Sequence, residues 1–388
     1  MKTKPRVLLV QPNLQPPGGA SAVCAWALHA LQDDFQVDAL TWTPADLFQV
    51  NRFYGTSLDT RKINNFFAPK WLRMLVAFDP DPWSFLRLAW MMRQAKRWRD
   101  RYDVVISFCD EIDCGAPCIQ YIHYPYLGAW YARWQTSRAA RVRIRLRPWV
   151  LFADFSFERM RENITLVNSD FTGRQFAAAY QVQPRTLYPP VAGDFPNVDW
   201  SARENNFVCM GRLSGEKRYQ DIVAILQAVR ARGHAVRLHI IGASLGRDVD
   251  AAYYQQLRDL VHAERAWVTL HENISHAELQ QLVAHQRYGI HAMPQEHFGI
   301  APAEMVRAGC IVFVCNDGGQ VEIIGDEPRL RYESNADAVE KISRVLSDEN
   351  AQAELRAALA KRAALFSTEL FMNELRAVVL QVWNARSV

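Results

Sequence analysis

Two carboxylates eight positions apart, Glu296 and Glu304, bracket the segment Glu-His-Phe-Gly-Ile-Ala-Pro-Ala-Glu. An apolar run over residues 288–293 leads into it, and a helical pattern through Met305 and Val306 follows. A strand, a short loop with Phe298, Gly299 and Ile300, and then a helix start is a geometry that binds anions. Unpaired backbone N–H groups and the helix dipole point at the ligand there. Gly299 lets the backbone approach it closely. Glu296 falls in the loop and Glu304 about one turn into the helix, so both can border one cleft and accept hydrogen bonds from sugar or ribose hydroxyls. A second block, Val-Cys-Met-Gly-Arg-Leu-Ser-Gly-Glu-Lys-Arg over residues 208–218, starts on an apolar run and turns at Gly211. It places Arg212 and Lys217 in the loop before the next helical pattern. Two cations at a strand end suit a departing diphosphate that no metal neutralises. Read alone, the same block is a solvated basic loop.

Other residues stand at strand ends. Gly242 closes the run 236–241, and His-Glu-Asn-Ile-Ser (271–275, with Asn273 and Ile274) follows the run 267–271. Asn-Asp-Gly-Gly (316–319) follows the run 311–315 and reads either as a plain turn or as part of the site. In the first half, residues 7–10 lead to a loop with Gly18 and Gly19 and then a helical run from Ala22. The loop is not G-x-G-x-x-G, which argues against a bound dinucleotide. His123 ends the run 119–123 within Gln-Tyr-Ile-His-Tyr-Pro, and a lone strand-end histidine is more often structural than chemical. Asn168, Ser169 and Asp170 end another run, with Ser169 or Asp170 as the helix N-cap.

Taken together these motifs resemble family-4 retaining glycosyltransferases of the GT-B fold. E-x7-E is that family's signature, and residues 211–217 resemble its G-R-L-x-x-x-K element. Glu-His-Phe-Gly-Ile, the later Gly-Gly pair and Tyr-x-His-Tyr-Pro look like the dolichol-pathway α-1,2-mannosyltransferase branch. The resemblance implies that Glu296 contacts donor-sugar hydroxyls and Glu304 holds the ribose. It implies backbone contacts from Phe298, Gly299 and Ile300, and diphosphate contacts from Arg212 and Lys217. It also places Asn273 and Ile274 beside the base, Gly18 and Gly19 near the phosphate, and His123 beside the sugar. It covers the C-terminal half well and the N-terminal half in patches.

The elements that must hold these residues are legible as an alternation. Short apolar, β-branched runs (7–10, 37–40, 104–108, 119–123, 164–168, then 207–210, 236–241, 267–271, 288–293, 311–315) alternate with helical patterns. That predicts α/β architecture: two doubly wound, Rossmann-like domains facing a central cleft. The expected division is 1–185 for the acceptor side and 186–366 for the nucleotide sugar, with a helix over 367–388 crossing back. Residues 181–206, rich in proline and polar residues, read as the linker. Residues 43–102, with five Trp or Phe between Trp71 and Trp90 and a turn-like Asp-Pro-Asp-Pro at 79–82, read as an insertion packing its aromatics inward or as an acceptor-binding wall.

The chain has 388 residues, 49% hydrophobic and 22% charged, a globular composition long enough for two domains. Its formal charge of +4 is too mild to argue for nucleic acid. Between Arg133 and Arg147 lie six arginines and no acidic residue, interleaved with Val142, Ile144 and Leu146. This stretch reads as a face for an anionic membrane or as a solvated helix face. Seven irregularly spaced cysteines suit buried free thiols, and no ligand set completes a metal site around Cys114 and Cys118. With no apolar run long enough to span a bilayer, the expectation is a cytoplasmic protein, peripheral on the inner face of the membrane.

The function this predicts is metal-independent transfer of a hexose, mannose first, from a nucleotide sugar (GDP-mannose, then a UDP-hexose). The acceptor is a hydroxyl of a glycan or lipid-linked molecule, and the anomeric configuration is retained. No cofactor is called for. The alternatives are a GT-B-fold sugar-nucleotide hydrolase or epimerase, and a non-catalytic sugar-nucleotide-binding scaffold.

Overall fold

The computed structural model describes residues 4–16, 18–77, 85–243 and 251–386, and the Asp-Pro-Asp-Pro turn at 79–82 lies outside them. The chain divides into two compact units, residues 1–190 with 368–388, and residues 191–367.

In the first unit the strands are β1 (Arg6–Val10), β2 (Gln36–Thr41), β3 (Ile63–Phe67), β4 (Val104–Ser107), β5 (Ile119–Ile122), β6 (Ile164–Val167) and β7 (Arg185–Thr186). Between them run α1 (Gly19–Leu31), α2 (Leu47–Tyr54), α3 (Lys70–Val76), α4 (Phe85–Trp98), α5 (Gly128–Thr136), α6 (Arg138–Arg145), α7 (Pro148–Leu151), α8 (Phe157–Arg161) and α9 (Asp170–Tyr180). The second unit holds β8 (Glu204–Arg212), β9 (Leu238–Ala243), β10 (Val268–Glu272), β11 (Gln286–His291), β12 (Ile311–Cys315) and β13 (Arg331–Tyr332). Its helices are α10 (Tyr219–Ala231), α11 (Ala251–Ala263), α12 (His276–Ala284), α13 (Ile300–Arg307), α14 (Gln320–Ile323), α15 (Asn335–Leu346) and α16 (Glu349–Ala363). α17 (Thr368–Arg386) belongs to the first unit, where it packs on α1 and Arg376 donates to the carbonyl of Ala30 at 2.9 Å.

Both sheets are parallel. The first is ordered β3-β2-β1-β4-β5-β6-β7 and the second β10-β9-β8-β11-β12-β13. A parallel strand covered by helices on both faces must be apolar throughout, and the central strands are. Val7 to Val10 and Ile311 to Val314 are fully buried. Each order reverses direction once, between β1 and β4 and between β8 and β11, which makes each unit a Rossmann-like doubly wound domain.

The structure corrects several element boundaries. β8 and β9 run on through Arg212 and Gly242, whereas β5 and β11 stop at Ile122 and His291. Three edge strands, β3, β7 and β13, are absent from the apolar runs. Two of them have two residues each, and β3 (Ile-Asn-Asn-Phe-Phe) buries only its first. Residues 181–206 are only partly linker, since β7 pairs with β6 and β8 begins at Glu204. Within 43–102, Trp90 packs against Trp42, with ring centroids 5.7 Å apart, whereas Trp71 stands 65% exposed. The inward-packing reading therefore holds for part of that region only.

Candidate functional site

In the second unit the chain passes from β8 to β9 on one side and from β11 to β12 on the other. The carboxyl ends of β8 and β11 thus flank the crevice where open parallel sheets hold ligands. Arg212 is the last residue of β8, and Lys217 ends a 3-10 turn just beyond it. β11 ends on His291, with Glu296 five residues later. Sheet order alone brings these together across 79 positions: Lys217 Nζ donates to Glu296 Oε2 at 2.8 Å, with the side chains 14% and 16% exposed.

The neighbours of that pair fix its charge. Burial works against ionised Glu296, but the Lys217 ammonium more than offsets it and holds the carboxyl below its usual range. His291 Nε2 lies 3.5 Å from the same carboxylate oxygen. Burial, reinforced by Lys217, lowers His291 to about 4, so its imidazole is neutral at pH 7 and leaves Lys217 as the counter-charge. Met293 Sδ accepts from Lys217 Nζ at 3.2 Å. Neither His291 nor Met293 was singled out from the sequence. The available signal was a histidine ending a buried strand five residues before Glu296.

The segment 316–319 is more than a plain turn. Gly319 N–H donates to the Glu296 carbonyl at 2.7 Å, and Glu296 and Gly318 form an isolated parallel bridge. Gly318 has φ +91°, and a Cβ there would lie 2.4 Å from the Glu296 carbonyl oxygen. Only glycine fits that approach. The Gln320 side-chain amide donates to the carbonyls of Met293 at 2.7 Å and Asp317 at 2.8 Å. These bonds clamp the loop that carries Glu296.

Gly299, at φ +103°, caps α13 without a side-chain bond. Phe298 is 3% exposed and packs on Phe366, ring centroids 5.6 Å apart, so any ligand contact it makes is through the backbone. The first residue of α13 to donate along the helix is Ala303, to the Gly299 carbonyl. Ile300 and Ala301 precede it with N–H groups that have no intrahelical acceptor, and Pro302 has none to satisfy. Glu304 lies one turn in. Burial raises its carboxyl to about 8 against the opposing pull of Arg307, and no hydrogen bond reaches it from the described residues. A desolvated carboxyl without a partner is poised to take a hydroxyl donor.

Arg212 is exposed and donates to Glu216 at 2.5 Å. Both cations of the G-R-L-x-x-x-K element thus already hold a carboxylate, Glu216 in one case and Glu296 in the other. Glu216 carried no signal in sequence beyond its place between them. Gly211, at φ +151°, leaves room for Lys217, whose Cε would meet a Cβ at 3.2 Å. Gly242 makes room for Leu213, which would meet a Cβ at 2.2 Å. Asn273 N–H donates to the Gly242 carbonyl at 3.0 Å, with Ile274 half-buried beside it at the end of β10. Gly211, Arg212, Lys217, Gly242, Asn273, Ile274, Glu296, Phe298, Gly299, Ile300 and Glu304 therefore share the carboxyl edge of one sheet.

The remaining candidates belong to the first unit. Gly18 precedes α1 and its carbonyl accepts from the Tyr54 hydroxyl at 3.1 Å, with Gly19 opening the helix. His123 follows β5. Its backbone N–H donates to Asp110 Oδ1 at 2.5 Å, and its carbonyl accepts from Asn168 Nδ2 at 3.0 Å. Asp110 itself sits at φ +60°. Ser169, rather than Asp170, caps α9 by accepting from the Thr172 N–H. All seven cysteines are free.

Residues 194–365, which carry the whole of the Arg212–Lys217–Glu296–Glu304 arrangement, match the family model for glycosyl transferases group 1. This stretch is a group 1 glycosyltransferase domain. Its relatives include the GDP-Man:Man(3)GlcNAc(2)-PP-Dol alpha-1,2-mannosyltransferase of Candida glabrata, 24% identical over 53% of this chain and 44% of that one. Another is the human alpha-1,3/1,6-mannosyltransferase ALG2, 25% identical over 71% and 72%. The chain spans about half the length of the α-1,2-mannosyltransferases it matches. The crystal structure of a glycosyltransferase from Rickettsia africae aligns over 98% of either chain with a TM-score of 0.69 at 13% identity. That likeness is one of fold: two Rossmann-like units, as in GT-B proteins.

Proposed function

We propose that this glycosyltransferase moves a hexose, mannose in first place, from a nucleotide sugar to a hydroxyl of a glycan or lipid-linked acceptor, with the anomeric configuration retained. The reading rests on the Lys217–Glu296 pair set beside the open start of α13. Breaking the bond between the anomeric carbon and the diphosphate leaves negative charge on the phosphate oxygens and positive charge on the sugar. Lys217, Arg212 and the N–H groups of Ile300 and Ala301 face the first, and Glu296 faces the second. Donor binding exchanges partners: the diphosphate takes Arg212 from Glu216, and sugar hydroxyls donate to Glu296 while Lys217 keeps it ionised. The ribose hydroxyls satisfy Glu304. Two cations and a helix terminus supply the positive charge that a metal gives in other transferases, so the proposed step is metal-independent.

GDP-mannose is the proposed donor because the α-1,2-mannosyltransferase relatives are named for it, with a UDP-hexose as the next candidate. In the first unit, Gly18 and Gly19 are the proposed contacts to phosphate, and His123 the proposed contact to the sugar or the acceptor. The arginines of α6 and its flanks are the proposed contact with an anionic, lipid-bearing surface. Val142 and Leu146 are 59% and 65% exposed, and Leu151 and Phe152 are 60% and 56% exposed, whereas Ile144 and Trp149 are buried in the core with Val150 packed against it. Exposed apolar side chains between cations suit a lipid interface better than bulk water. No helix among the described residues is long and apolar enough to cross a membrane.

The deciding experiment is a thermal-shift screen with GDP, UDP and their sugars, followed by anomer analysis of the product. A bound nucleotide raises the melting temperature by mass action. No shift with any nucleotide, or a product of inverted configuration, overturns the proposal.

A further inference from the structure

The amino edge of the second sheet, opposite the edge that carries Arg212 and Glu296, holds a cavity of about 480 Å³. Arg203 immediately precedes β8, and Gly309 and Cys310 immediately precede β12, which fixes the cavity's place. Its walls include Asp199, Trp200, Arg203, Arg307, Gly309 and Arg356. Arg203 is only 9% exposed; its Nε donates to the Val198 carbonyl at 3.0 Å and its Nη1 to the Gln286 carbonyl at 3.3 Å. Arg307 donates to the Val191 carbonyl. The Arg356 guanidinium lies 4.5 Å over the Trp200 ring, and its Nε is buried without a hydrogen-bond partner. The partners of these three guanidiniums are carbonyls and a ring. Among the described residues no carboxylate comes within ion-pair distance of any of them, although arginines such as Arg159, Arg329 and Arg344 are paired.

A buried cation without a counter-charge is costly, and a second cation beside it adds to the cost. Burial first, and Arg356 after it, pull Arg203 below the usual arginine range. We propose that this cavity is a second ligand site, for a phosphate-bearing small molecule of hexose-phosphate size, whose phosphate sits among Arg203, Arg307 and Arg356. Three guanidiniums against Asp199 leave two net positive charges, matching a phosphate monoester of roughly −1.5 to −2 near pH 7. The planar forks match phosphate oxygens in pairs. The volume falls among those of small-molecule sites, roughly 300–1,000 Å³, and leaves space for a sugar beside the phosphate. Arg307 also lies three residues beyond Glu304 and holds its carboxyl down, so the site shares a helix with the donor-side carboxylate.

The test is calorimetric titration of the full chain with a hexose 1-phosphate and with inorganic phosphate, repeated on Arg356→Gln, Ala360→Glu and Lys217→Met. Ala360 is an exposed position on the cavity wall, so a carboxylate there repels the ligand without touching the core. Binding in the parent that weakens at least tenfold in Arg356→Gln and Ala360→Glu, and stays within twofold in Lys217→Met, is the expected result. Two outcomes overturn the proposal. One is no binding by the parent at millimolar ligand. The other is binding lost in Lys217→Met but kept in both cavity variants, which puts the phosphate in the donor site.

Discussion

Lys217→Met removes one charge and little else. The side chain stays unbranched and apolar but loses the Nζ that bonds Met293 and Glu296, and Glu296, 16% exposed in the parent, is left beside a neutral His291. Orphaning one half of a buried pair costs about 3–5 kcal/mol when the remaining group must stay charged. Glu296 has an escape, because it can take up a proton. In the parent its folded pKa lies below the unfolded 4.5, so the pair's contribution is present above that pH and fades as pH falls through the folded value. In the variant the burial that Lys217 was offsetting acts alone, and the folded pKa rises above the unfolded one. The penalty is then absent at low pH and grows as pH rises through the new value. Urea unfolding at about pH 5 and about pH 8 should show the gap between parent and variant widening toward the higher pH. Turnover at neutral pH should fall by about 2–4 kcal/mol of transition-state stabilisation, as loss of one electrostatic donor does. That is roughly 30- to 900-fold in kcat/KM. Adding Glu296→Gln should restore most of the stability, by removing the orphaned charge, and none of the turnover. A stability loss that is flat with pH, or turnover within about threefold of the parent, refutes the reasoning.

Three further outcomes are expected. Nucleotide binding should release protons near pH 7, because ribose hydroxyls donating to Glu304 stabilise its ionised form against a free-state pKa of about 8; calorimetry in buffers of different ionisation enthalpy measures this, and Glu304→Gln should abolish the release. Gly318→Ala, with φ +91° and a Cβ 2.4 Å from the Glu296 carbonyl, should cost about 1–3 kcal/mol of strain and weaken donor binding at least about tenfold by displacing Glu296; unchanged affinity would separate the clamp from the site. Replacing Leu146 and Phe152 by serine should lower sedimentation with anionic vesicles while leaving donor binding in solution intact, and equal sedimentation would mean that face is merely solvated.

The sequence by itself determined what depends on local pattern. Buried parallel strands must be apolar on both faces, so the nine interior strands stand out as short runs, and the edge strand β10 with them. The helix start after Phe298 and the spacing of Glu296 from Glu304 are equally local, as is the order Gly211, Arg212, Lys217. Tertiary structure decided everything that depends on which strands lie side by side. The β8–β11 adjacency makes Lys217 and Glu296 one ion pair and sets neutral His291 beneath it. The same strand order closes Gly318 onto Glu296. The edge strands β3, β7 and β13 escaped notice because they are short or half-exposed and need little apolar sequence. The arginine cavity draws on positions 203, 307 and 356, separated by 104 and 49 residues. No spacing rule joins them, because the sheet and helices that gather them are held by burial elsewhere in the unit.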